Sequence, residues 1–120
     1  MGNIDTISVE QAADSLQCAV SKVYRLIHSN QLPATKVNRY WVIQKKGFKT
    51  FWSQELLHQA QAFLNNNQSN SAIQTLTLLL HHFPMSPEGN FEMGRAHFLS
   101  QSPKTALRFL HKCVKLKYDF

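Results

Sequence analysis

Ala72 and Ala106 stand 34 residues apart and hold the same place in two copies of one apolar pattern. No other feature narrows the fold of the second half as much. Aligned on these alanines, the first copy reads Leu56, Ala60, Phe63, Ala72, Leu76, Leu79 and Pro84. The same offsets in the second give Asn90, Gly94, His97, Ala106, Leu110, Cys113 and Tyr118. From Gln54 onward the periodicity is helical throughout. Matched small residues (Ala60 with Gly94, Ala72 with Ala106) let antiparallel helices approach closely, and larger residues fill the grooves beside them. The pattern predicts helices at 53–65, 69–82, 87–100 and 103–117, with the polar run from Asn65 to Ser71 as a turn and Pro84 ending a helix.

The first half is organised differently. Ser8 precedes a short apolar stripe of Val9, Ala12, Ala13 and Leu16, and Gln11 follows three residues after Ser8, the spacing of a capping box. After Gln17-Cys18-Ala19, a second helix is predicted from Val20 to Asn30. Val20, Val23, Leu26 and Ile27 form its inner face, leaving Ser21, Lys22, Tyr24, Arg25 and His28 outside. Two short helices across a tight turn, the second with a polar, basic outer face, make a helix-turn-helix. Pro33 stops the second helix. The β-rich run Thr35–Ile43, with Asn38-Arg39 at its centre, reads as a two-stranded hairpin, or wing, with Arg39 at its tip. A third short helix from Lys45 to Trp52 closes the unit with Phe48, Phe51 and Trp52.

The net charge of +6 is unevenly placed. Residues 1–52 carry seven basic and three acidic side chains, and no acidic side chain lies between Asp14 and Glu55. All seven basic residues (Lys22, Arg25, Lys36, Arg39, Lys45, Lys46 and Lys49) fall inside that stretch. With no anion nearby in sequence, their field points outward, and with Tyr24, Tyr40 and Trp41 interleaved it suits a phosphate backbone.

These residues carry a resemblance. Ile7-Ser8-Val9, Ala12-Ala13, Leu16, Val23-Tyr24-Arg25-Leu26-Ile27, Leu32-Pro33-Ala34 and Trp41-Val42-Ile43 together resemble the excisionase-type, MerR-like winged helix-turn-helix. The resemblance implies DNA binding, with the second helix in the major groove and the wing on the adjacent backbone or minor groove. It places Ser21, Lys22, Tyr24, Arg25 and His28 on the groove side, and Lys36, Arg39 and Tyr40 on the wing. Three positions depart from the pattern. Gln17 stands where a turn glycine is usual, Ala19 replaces the usual Ser cap, and Val20 occupies a position that is often Arg. From residue 53 the 34-residue period is similar to that of tetratricopeptide repeats, with the second copy departing at Asn90, His97 and Tyr118.

The expected architecture is therefore mainly α. A winged helix-turn-helix with a small β-hairpin spans residues 1–52, and a four-helix, tetratricopeptide-like repeat domain spans 53–120. Two repeats are fewer than a solenoid usually needs, so the last helix is expected to keep an apolar flank. Tyr118 and Phe120 are the candidate partner-binding residues, and a second copy of the chain is the favoured partner.

Other classes are excluded or disfavoured. No run reaches the roughly 18 consecutive apolar residues of a membrane helix. Met1–Asp5 lacks the basic and apolar segments of a secretion signal, which makes the cytoplasm the expected location. Cys18 and Cys113 are too few for a disulfide scaffold. Six histidines include the pair His81-His82, but adjacent helical residues point to different faces and no metal-ligand spacing appears, so no metal or cofactor is expected. No nucleophile–base grouping or phosphate-binding glycine loop argues for an enzyme. The reading is a sequence-specific binder of double-stranded DNA, a transcriptional regulator, with a half that self-associates or holds a protein partner. The alternatives are an excisionase-like architectural DNA-binding protein and an adaptor whose winged helix does not bind DNA.

Overall fold

Local signals in the first half become six elements around one core. The computed structural model describes residues 5–118, and of Tyr118 the backbone alone. The leader reading of Met1–Asp5 therefore lies almost wholly outside the described residues, as do the side chain of Tyr118 and all of Phe120. The elements are β1 (Thr6–Ser8), α1 (Val9–Leu16), α2 (Val20–His28), β2 (Ala34–Val37), β3 (Tyr40–Gln44) and α3 (Lys45–Asn65), followed by α4 (Ser69–His82), α5 (Pro87–Leu99) and α6 (Pro103–Tyr118). They divide into two compact units, with the boundary between Trp52 and Ser53.

In the first unit the expected capping box is formed. The Gln11 amide donates to Ser8 Oγ at 3.1 Å, and the Ser8 amide to Gln11 Oε1 at 2.8 Å. Val9, Ala12 and Ala13 of α1 are buried with Val23 and Ile27 of α2, Leu32, Ile43 and Phe48. A third strand joins the expected hairpin: β1 pairs antiparallel with β3, Ile7 opposite Ile43, to give the order β1-β3-β2. It makes Ile43 the centre of the sheet, fully buried. The second helix ends at His28 instead of Asn30, because Asn30 is left-handed (φ 62°) and turns the chain so that the Gln31 and Leu32 amides both donate to the Leu26 carbonyl.

The turn between α1 and α2 is a Schellman arrangement. Gln17 sits at φ 54° and ψ 50°, its amide donates to the Asp14 carbonyl, and that of Cys18 to the Ala13 carbonyl at 3.1 Å. A left-handed backbone costs a non-glycine residue about 1 kcal/mol or more. Gln17→Gly removes that cost and gives back part of it through the freer unfolded chain, so a net gain of about 0.5–1 kcal/mol and a midpoint a few degrees higher are expected by scanning calorimetry. An unchanged or lowered midpoint contradicts the strain assigned to this turn.

One expectation fails at the third helix. The helices expected at Lys45–Trp52 and 53–65 are a single helix, α3, from Lys45 to Asn65. No glycine or proline stands between Phe48 and Asn65 to break the chain, and Ser53 is taken into the helix.

In the second unit, α4 spans Ser69–His82 as predicted, and α5 and α6 differ from their predicted bounds by one residue each. Leu56, Ala60, Leu64, Ala72, Leu76, Leu79, Met93, Ala96 and Ala106 are buried. The small residues do what their spacing implies. A Cβ added at Gly94 would lie 2.7 Å from Leu110 Cγ and 3.2 Å from the Ala106 carbonyl oxygen, so α5 and α6 meet backbone to side chain at this point. Two departures in the second copy also find a physical reason. Asn90 is fully buried and its Nδ2 donates to the Ser86 carbonyl at 2.8 Å and the Pro84 carbonyl at 3.3 Å, tying α5 to the turn before it. His97 stacks on Phe109 with centroids 5.5 Å apart.

The histidine pair requires a correction. His81 and His82 do not point to separate faces; their rings meet edge to face at 4.9 Å. In the last turn of α4 both are exposed, and side chains roughly 100° apart can lean together there. Among the described residues, no group of three or more His, Cys, Asp or Glu is placed to hold a metal ion. No described helix is long and apolar enough to cross a membrane.

Candidate nucleic-acid interface

The outer face of α2 is set by its inner one. Val23 and Ile27 anchor the helix in the core and Val20 and Leu26 are half-buried, so the intervening positions must turn out. Ser21, Lys22, Tyr24, Arg25 and His28 are all exposed. Lys22, Arg25, Leu26, His28, Ser29 and Gln31 line an open cleft of about 590 Å³. Ser29 and Gln31 were not among the residues expected here. Gln31 Nε2 donates to Ser29 Oγ at 3.2 Å, which places an amide and a hydroxyl at the end of the basic face. Their signal in sequence is only their position just beyond the helix.

The N-terminus of α2 lacks a side-chain cap, as Ala19 implies, since a methyl group accepts no hydrogen bond. Its backbone is extended (φ −73°, ψ 150°), so the geometry of a cap is kept without its bond.

The wing is a two-residue hairpin. Val37 pairs with Tyr40, and Asn38 takes the left-handed conformation at the turn (φ 58°), which asparagine tolerates better than most residues. Arg39 is exposed at the tip, Tyr40 is 76% exposed, and Lys36 is exposed on the opposite strand. Lys36 stands across from Trp41, and its Nζ lies 5.8 Å from the Trp41 ring centre. The same indole meets the His28 ring edge-on at 5.8 Å. Trp41, half-buried against the core, thus joins the last turn of α2 to the wing.

The eight residues singled out in sequence fall into two groups, five on the outer face of α2 and three on the wing, all exposed. Residues 6–55 match the family model of a helix-turn-helix domain. The chain therefore carries a helix-turn-helix domain in its first half. No curated protein and no solved structure matches the chain.

Proposed function

We propose that this protein binds double-stranded DNA through its first unit, with α2 in the major groove and the wing on the neighbouring backbone, and acts as an excisionase-like or MerR-like transcriptional regulator. One observation carries the reading. Four of the seven cations of an acid-free stretch of sequence, Lys22, Arg25, Lys36 and Arg39, stand exposed on the two elements that a winged helix-turn-helix presents to a duplex. Lys22 and Arg25 serve the groove, Lys36 and Arg39 the backbone, and Ser21, Tyr24, His28 and Tyr40 supply hydrogen bonds and aromatic contact. The second unit, whose helices meet through Gly94 and Ala106 as tetratricopeptide hairpins do, holds a protein partner or a second copy of the chain.

Two phosphate-facing cations per copy, Lys36 and Arg39, imply a log–log salt slope of about −2, and so a loss of about tenfold in affinity from 50 to 200 mM salt. A gel-shift titration at those two concentrations tests this. Binding that ignores salt, or no binding at 50 mM, removes the DNA reading and leaves the adaptor. An architectural role differs from a regulatory one in bending the duplex, which circular-permutation gel shifts read directly.

A further inference from the structure

Gly94 touches Leu110, and the residues around that contact leave an unpartnered surface. Phe91 and Phe98 lie three residues before and four after Gly94. Leu107 and Val114 lie at the same offsets from Leu110. In two antiparallel helices joined by residues 100–102, these offsets turn both pairs to one side of the hairpin. All four are exposed, from 44% at Phe91 to 65% at Phe98. Large apolar side chains grouped this way mark a docking face. Beside them runs a groove of about 270 Å³ lined by Gln61, Phe91, Glu92, Cys113 and Lys117 among others.

The charge around this face says what covers it. Five of the six basic residues of the second unit lie on α6 (Lys104, Arg108, Lys112, Lys115 and Lys117), and α6 contains no acidic residue. All five are exposed. On α5 the Glu92 carboxylate is committed inward, accepting from Gln61 Nε2 at 2.8 Å and pairing with Arg95 at 3.1 Å. Glu88 is exposed there, a single carboxylate against five cations. A second copy would bring five cations against five, and like charges set face to face oppose association. A flat anionic surface suits the cations but not a groove flanked by Glu88 and Glu92.

We infer that the Phe91–Phe98–Leu107–Val114 face of the α5–α6 hairpin docks an acidic amphipathic helix of another protein, its apolar residues at i, i+3/i+4 and i+7 on this strip and its carboxylates against the lysines of α6. The inference rests on the partner-holding role proposed for the second unit and names the partner's chemistry.

The test uses the full chain and a fluorescein-labelled helical peptide of Leu and Glu with leucines at i, i+3, i+4 and i+7, read by anisotropy. A peptide with Lys in place of Glu, an anionic phosphatidylserine vesicle and a DNA duplex are run beside it. The Glu peptide is expected to bind at least about tenfold more tightly than the Lys peptide. Leu107→Ser/Val114→Ser and, separately, Lys112→Glu/Lys115→Glu are each expected to weaken it about tenfold or more while leaving the duplex gel shift and circular dichroism unchanged. These positions are exposed, so the fold does not depend on them. Equal binding of the two peptides, binding that survives both double variants, or vesicle binding without peptide binding overturns the inference. Self-association by sedimentation that is lost in Leu107→Ser/Val114→Ser also overturns it, and assigns the face to a second copy with the broader reading intact. Neither peptide binding nor self-association overturns both.

Discussion

Arg25→Ala and Arg39→Ala each weaken binding to a duplex by about tenfold or more, while Lys112→Ala leaves it unchanged. Both arginines are exposed, Arg25 on the outer face of α2 and Arg39 at the wing tip. Neither supports the core, so the loss comes from the interface and not from unfolding. The two are expected to differ in kind. A base-edge contact from Arg25 costs about 1–3 kcal/mol and relaxes sequence preference at the position it reads, whereas a phosphate contact from Arg39 lowers affinity for all sequences and flattens the salt slope by about one. Selection of bound sites from a random library, repeated with each variant, separates these outcomes. Equal loss from all three substitutions would mean that charge alone, and not α2 and the wing, sets the affinity.

Gly94→Ala lowers the melting temperature even though alanine is the better helix former by about 1 kcal/mol. The new methyl would stand 2.7 Å from Leu110 Cγ and 3.2 Å from the Ala106 carbonyl oxygen, and overpacking of this kind costs about 1–3 kcal/mol. Gly94→Val, with two further methyl groups at the same crossing, is expected to abolish cooperative unfolding of the second unit. The cause can be isolated by a double-mutant cycle. Leu110→Ala alone leaves a cavity and destabilises, but combined with Gly94→Ala it costs less than the sum of the two, because the methyl at 94 enters the space left by the isobutyl group. Additive losses measured by denaturant unfolding would show that the helices do not meet at Gly94.

Most of the helices were legible because their cause is local. Val23 and Ile27, four apart, set the inner face of α2 and so the outward positions of Lys22, Arg25 and His28; alanines 34 apart set the phase of α4 and α6. What escaped depends on residues far apart in the chain. β1 is three residues long and is a strand only because β3 pairs with it. α3 reads as two helices because the helix-turn-helix pattern ends at Trp52 and the repeat pattern begins at 53, whereas the helical backbone runs on through that point with no proline to interrupt it. Asn90 looks like a failed repeat position until the carbonyls of Pro84 and Ser86 come within its reach. At the candidate interface, residue type and helical phase identify the exposed cations. They say nothing of Trp41 meeting His28, because that pair crosses from helix to hairpin.

That pair has a use of its own. Trp41 lies between the wing's Lys36 and the His28 ring of α2, 5.8 Å from each. A lysine ammonium and an imidazole both alter indole emission, so with the other tryptophan, Trp52, replaced by phenylalanine, Trp41 alone registers the spacing of helix and wing. Its colour and intensity give the two elements an optical gauge that needs no added dye.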